Sequence, residues 1–160
     1  MTANHTHTKI FEMIAAAQKI LLLTDERIDG DTTGSTMAMF HYLKAAGKNV
    51  RVFSPKDWAD SYDIVPGGDH VIRDGATFKE GADLMMIFDC SDCAYLAEFL
   101  PLLPHKVPLV VFDHHATNPL YGDVNLVDAK ASSTGEVVWR FFKANDVAIS
   151  RDMATSLLIA

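Results

Sequence analysis

Carboxylates and imidazoles gather in three short stretches of this sequence, and each stretch follows an apolar run. Leu21-Leu22-Leu23 leads into Asp25 and Asp29-Gly30-Asp31, Met86-Ile87-Phe88 into Asp89 and Asp92, and Val110-Val111-Phe112 into Asp113-His114-His115. Bare carboxylates brought together repel one another and hold their protons more tightly than usual. A bound divalent cation removes that conflict, and two remove it better. Carboxylates accept any hard divalent ion, whereas imidazole favours manganese, zinc or iron over magnesium. A mixed site with room for two ions suits hydrolysis of a phosphate ester or anhydride. Metal-held water there loses a proton near neutral pH, and the ions stabilise charge on the transferring phosphoryl group.

For the three stretches to meet, the apolar runs must be neighbouring strands. A short apolar run closed by polar residues reads as a buried strand of a parallel sheet, and open α/β sheets bind ligands beyond the carboxyl ends of their strands. Strands are expected at Lys19 to Leu23, Val50 to Phe53, Val71-Ile72, Leu84 to Phe88 and Val107 to Phe112. Helices are expected at Thr8 to Gln18, Gly34 to Ala46 (with Gly47 as a left-handed cap), Tyr95 to Leu100, Ser133 to about Ala144 with capping-box spacing to Glu136, and from Arg151 onward. Ala116 to Lys130 reads as irregular, broken by Asn118-Pro119 and Gly122-Asp123. Alternating strands and helices imply an α/β fold: a parallel, doubly wound sheet covered by helices on both faces.

One acidic loop alone is an ordinary solvated feature. Three in register with three strand ends are better explained by a shared metal site. Adjacent histidines diverge, so one of His114 and His115 is expected on the metal and the other on substrate. Ala131-Ser132-Ser133-Thr134-Gly135 precedes a helix whose free amides form a natural anion site, though ordinary capping by Ser133 accounts for it equally well. Cys90 and Cys93 have half-zinc spacing with no second pair to complete a site, and read as strand-end residues. His5 and His7 read as solvated tail residues, and the Met85-Met86 and Phe141-Phe142 pairs as core.

The 160 residues, 49% hydrophobic and 22% charged, fit one globular domain, and a net charge of -7 argues against a sequence-independent duplex DNA binder. Two cysteines and no span suited to a membrane place the chain in a reducing cytoplasm. The apolar ending Ser156-Leu157-Leu158-Ile159-Ala160 reads as a domain cut short.

The ordered set Asp29-Gly30-Asp31-Thr32-Thr33-Gly34-Ser35, Phe88-Asp89, Asp113-His114-His115 and Ala131-Ser132-Ser133-Thr134-Gly135-Glu136 resembles the DHH phosphoesterase superfamily. Within it the chain is most similar to the bacterial oligoribonuclease and 3′-phosphoadenosine 5′-phosphate phosphatase type, with RecJ-type exonucleases and manganese pyrophosphatases further off. The resemblance implies that residues 1–160 are a DHH catalytic domain truncated at its C-terminal end, lacking a substrate-binding domain and a further metal-binding aspartate. It implies a hydrolase attacking phosphorus with a metal-bridging hydroxide. Asp29, Asp31, Asp89 and His114 would be metal ligands, with Asp89 bridging two Mn2+ ions (Mg2+ being the alternative), and Asp89, His114 and His115 would be catalytic. Asp25 stands where the family usually has a ligating histidine; it would either keep that role or cost the site one ion. Asp113 would orient the histidines, and His115, Ser133 and Thr134 would contact substrate phosphate. The implied partner is a short single-stranded RNA or DNA or a nucleotide, with no membrane and with a homodimer left open. The competing reading is a degenerate domain that binds a nucleotide or a protein without catalysis.

Overall fold

Three of the apolar runs become inner strands of one sheet, because parallel strands buried on both faces have no polar side to show. The computed structural model describes residues 3–58, 64–92 and 94–160. Its strands are β1 (Lys19–Leu23), β2 (Asn49–Phe53), β3 (Val71–Ile72), β4 (Leu84–Phe88), β5 (Leu109–Asp113) and β6 (Val124–Val127), and its helices are α1 (Ala3–Ala16), α2 (Gly30–Ala45), α3 (Leu96–Phe99), α4 (Thr134–Ala144) and α5 (Arg151–Ile159). All neighbouring strands run parallel, in the order β3-β2-β1-β4-β5-β6.

Alternate residues of each inner strand feed two separate cores. Ile20, Leu22, Met86, Phe88, Val110 and Phe112 pack on α1, α2 and α4, while Leu21, Leu23, Met85, Ile87 and Val111 pack on Phe53, Phe78 and Leu96. Met85 and Met86 thus belong to opposite faces, and Phe141 and Phe142 are both fully buried. The chain leaves β1 toward β2 on one side and reaches β4 on the other. This reversal opens a crevice between the carboxyl ends of β1 and β4. Asp25 to Asp31 and Asp89 lie at its two walls.

Several expectations need correction. The stretch Ala116 to Lys130 contains β6, whose Val124 and Leu126 face inward while Asn125 and Val127 are less buried. It is an outer strand, so its burial alternates, and Asn125 interrupts what would be an apolar run. A 3₁₀ helix at Gly75–Glu80 went unread. Helix α1 begins at Ala3, and His7 packs its ring edge-on to Phe141 at 6.1 Å, where burial lowers its pKa. It is therefore no solvated tail residue. Helix α2 begins at Gly30, four residues before Gly34, because Asp29 caps it by accepting from the Thr32 amide. Gly47 does take the left-handed conformation, at φ 73°, just past α2. Cys90 is buried, and Cys93 lies outside the described residues.

The end of α5 presses against the starts of α2 and α4. A Cβ on Gly34 would meet the Ser156 carbonyl oxygen and, at 2.7 Å, the Ala160 amide nitrogen. Gly34→Ala gains about 1 kcal/mol of helix propensity but forces apart two backbones, which costs about 1–3 kcal/mol. Chemical denaturation of this variant should show net destabilisation; a more stable variant would mean that α5 is not held there.

Candidate metal centre

Asp89 is the first residue after β4 and sits at φ 58°, a left-handed conformation that an aspartate tolerates better than most side chains. Strain of this kind persists where the surroundings enforce it. Here the Asp89 amide donates to the Phe112 carbonyl (2.9 Å), so the backbone stays tied to β5 while the chain turns off the sheet. The carboxylate is 5% exposed. Thr32 Oγ1 donates to its Oδ2 at 2.8 Å and Thr134 Oγ1 to its Oδ1 at 2.9 Å. Two helix-start threonines, from α2 and α4, therefore fix it.

Asp31 lies in the first turn of α2 and reaches across to α4. The amides of Thr134 and Gly135 donate to its Oδ2 and Oδ1 at 2.7 and 2.8 Å. The anion held at the α4 N-terminus is thus the protein's own carboxylate. Ser133 Oγ accepts from the Glu136 amide at 3.1 Å as an ordinary cap.

Asp113 ends β5 fully buried and acts as a hub. Its Oδ1 accepts from the amides of His114 (2.8 Å) and His115 (3.2 Å) and from His115 Nδ1 (2.7 Å), and its Oδ2 from Asn118 Nδ2 (2.6 Å). Facing a carboxylate, His115 Nδ1 carries its proton, which leaves Nε2 for another partner. His114 Nδ1 lies 3.4 Å from the Ala131 carbonyl oxygen. Its Nε2 points at Asp31 Oδ2 (3.5 Å) and Asp89 Oδ1 (3.7 Å). The histidine rings are 4.6 Å apart at their centroids, and Asp89, His114 and His115 each offer a ligand atom within 4.8 Å of the others.

The electrostatics are those of a centre short of positive charge. Burial first, and then the neighbouring charge of Asp31, push the Asp89 carboxyl up to about 7. Burial also raises Asp31, against the lowering effect of the Thr134 and Gly135 amides and of His114. For His115, burial lowers the pKa, but its hydrogen bond to Asp113 and the charges of Asp113 and Asp89 outweigh that and raise it.

Asp25 and Asp29 lie differently. Asp25 is 4% exposed, and its Oδ1 accepts from the Glu26 amide (2.6 Å) while its Oδ2 accepts from Arg27 Nε (3.2 Å) and Nη2 (3.0 Å). Asp29 is exposed at the rim, with one oxygen engaged in capping α2. Four residues of this site escaped the sequence reading: Thr32, Thr134 as a brace of Asp89, Asn118 and Arg27. Thr32 and Thr134 carried a faint signal, since each is a hydroxyl within a helix start that follows an acidic or serine cap.

The donor set fits a divalent cation. With its proton on the Ala131 side, His114 Nε2 turns a lone pair toward two carboxylates at distances too long for hydrogen bonds. A cation between them reconciles the three groups, and the mixed nitrogen and oxygen donors suit manganese.

The family model described as DHH family, N-terminal domain, matches residues 19–160. Over 150 residues the chain is 23% identical to the bifunctional oligoribonuclease and PAP phosphatase NrnA of Thermus thermophilus, a match that covers 93% of this chain and 44% of that protein. An exopolyphosphatase-related protein from Bacteroides fragilis has the same fold at a TM-score of 0.87 and 21% identity, over 98% of this chain and 48% of that one. RecJ from Thermus thermophilus in complex with Mn2+ gives a TM-score of 0.59 at 19% identity, over 97% of this chain and 23% of that one. The chain thus spans about half or less of the length of these relatives. Among the described residues no helix is long and apolar enough to cross a membrane.

Proposed function

The chain belongs to the DHH family, and on that premise we propose that it is the catalytic domain of a metal-dependent phosphoesterase acting on nucleotides or short single-stranded oligonucleotides. The observation that carries the reading is the convergence of Asp31, Asp89 and His114 from three separate elements on one point at the β1–β4 crevice. The substrate class follows the relative named as an oligoribonuclease and PAP phosphatase and the RecJ fold.

Asp31, Asp89 and His114 would hold the cation, with Asp29 at the rim as a further carboxylate. Manganese fits best and magnesium is the alternative. When bound, the metal supplies Lewis acidity toward a phosphoryl oxygen and lowers the pKa of water. The residues do the rest. Thr32 and Thr134 keep the Asp89 carboxylate in place, the α4 amides keep Asp31 in place, and Asp113 with Asn118 sets the His115 ring. With Nδ1 held by Asp113, which together with Asp89 raises its pKa, His115 in its protonated form can donate from Nε2 to a phosphate oxygen or leaving group. A soluble cytoplasmic setting suits such a substrate.

The test is Mn2+-dependent phosphate release from 3′-phosphoadenosine 5′-phosphate by this chain and its Asp31→Ala variant. Release by the parent, lost in the variant, is expected. A folded parent that binds Mn2+ yet releases nothing would favour a nucleotide-binding domain without catalysis. That second reading draws on Asp25, whose oxygens are taken up by Arg27 and Glu26.

A further inference from the structure

Resting on the phosphoesterase reading, we infer that Asp25 anchors Arg27 rather than a metal ion, and that the Arg27 guanidinium is a built-in receptor for the substrate phosphate. Asp25 is a buried carboxylate at the end of β1, beside the crevice but outside the group formed by Asp89, His114 and His115. A buried carboxylate needs a partner, and Asp25 has one: Arg27 Nε and Nη2 both donate to its Oδ2. The other oxygen takes the Glu26 amide, so neither oxygen is left bare.

The arginine is placed very differently from its anchor. Its side chain is 71% exposed against 6% for that of Asp25. A guanidinium has five N–H donors in a rigid plane. Nε and Nη2 serve Asp25, and Nη1 makes no hydrogen bond among the described residues. One edge of the plane is therefore fixed by a buried acid while the rest of this exposed side chain is open to solvent, a posture suited to the paired oxygens of a phosphate.

Arg27 also stands close to the reacting centre. Thr32 Oγ1, which holds Asp89 at 2.8 Å, lies 3.3 Å from the Arg27 carbonyl oxygen. Arg27 and the cluster feel one another: the negative charge of Asp89 favours the Arg27 cation, and the cation opposes protonation of His115. In a domain of net charge -7 with several acids at one strand end, an anionic substrate needs a cation at the entrance. Arg27 supplies it with or without metal bound. Asp25 is then a positioning residue, acting through Arg27.

Isothermal titration decides this, with Mn2+ titrated into the apo chain and inorganic phosphate into the Mn2+-loaded chain. In Asp25→Asn, Mn2+ affinity should stay within about threefold of the parent while phosphate affinity falls about tenfold. Arg27→Ala should lose the same factor in phosphate affinity, with Arg27→Lys between it and the parent, because a lysine restores the charge but not the two-sided plane. Arg27→Ala leaves a buried carboxylate bare and can unfold. The double variant Asp25→Asn/Arg27→Ala removes both charges together, and its phosphate affinity should match either single variant instead of falling twice. A tenfold loss of Mn2+ affinity in Asp25→Asn overturns the inference, as does unchanged phosphate affinity in the double variant. Asp31→Ala separates the two readings: undiminished Mn2+ binding there removes the metal centre itself, whereas its loss alongside an inert Arg27 removes only the role given to Arg27.

Discussion

Asp89→Asn is expected to abolish Mn2+ binding and phosphate release while leaving the chain folded. The substitution is isosteric, and asparagine accepts the left-handed φ of 58° as readily as aspartate. The threonine braces survive it, because hydroxyls rotate: one of Thr32 and Thr134 goes on donating to the amide oxygen, and the other turns to accept from the amide nitrogen. What disappears is the charge at the one point that both histidines approach within 3.7 Å. Altering groups that merely orient a ligand already costs about 10–100-fold in metal affinity, so loss of the central carboxylate should exceed roughly 100-fold. The metal-free variant should also be more stable than the parent above about pH 7, since it no longer buries a carboxylate beside Asp31. Isothermal titration and urea denaturation in EDTA read both effects. Parent-like Mn2+ affinity in a folded Asp89→Asn chain would remove Asp89 from the site.

That pairing of gain and loss also explains which parts of the protein were legible beforehand. β1, β4 and β5 are inner strands of a parallel sheet, so burial on both faces writes them as apolar runs, whereas inner strand β2 alternates because Arg51 reaches out to Thr77 and Gly81. The acids stand out because a strand end is a costly place for unpaired charge. β6 escaped because it is an outer strand, only four residues long, next to Gly122-Asp123. The start of α2 escaped because Asp29-Gly30-Asp31-Thr32 has the composition of a loop, yet the Thr32 amide donates to the Asp29 carboxylate and the Thr33 amide to the Asp29 carbonyl, which start the helix there. That shift matters for the site, since it puts Asp31 on a helix that faces α4. The braces were invisible for a different reason. Thr32 and Thr134 lie 57 and 45 residues from Asp89, and nothing local to a helix-start threonine says which distant carboxylate it meets. Asp25 shows the limit of reading by type: an acid at that position is expected either to ligate a metal or to cost the site one ion, and residue type does not show that Arg27, two residues on, donates to one of its oxygens.

Metal-free stability should fall as pH rises from about 4 to about 7, and the stabilisation by Mn2+ should grow over the same interval. A carboxyl titrates near 3.9 in the unfolded chain, whereas burial and Asp31 hold Asp89 at about 7 in the folded one. Between those values the folded state binds more protons, so stability declines with rising pH at roughly 1.4 kcal/mol per unit for that group and then levels off. Asp31 is raised and shares the sign, and His115, also raised, adds stability that is lost as pH climbs through its folded pKa. His7 opposes them, because burial lowers its pKa and its unfolded form takes up the proton first below about 6.5. It is one half-buried ring against three groups at the centre. Asp83 and Glu136, held low by the amides of Lys19 and Ser132 respectively, lose their contributions only below about pH 4, outside the window. Mn2+ must displace the proton on Asp89, so its apparent affinity should rise about tenfold per pH unit up to about 7 and then flatten. Thermal melts from about pH 5 to 8, with EDTA and with Mn2+, should therefore diverge as pH increases, and Asp89→Asn should make the two series coincide. A metal-free Tm that climbs steadily from about pH 5 to 7 would contradict the charge-poor centre on which the whole site rests.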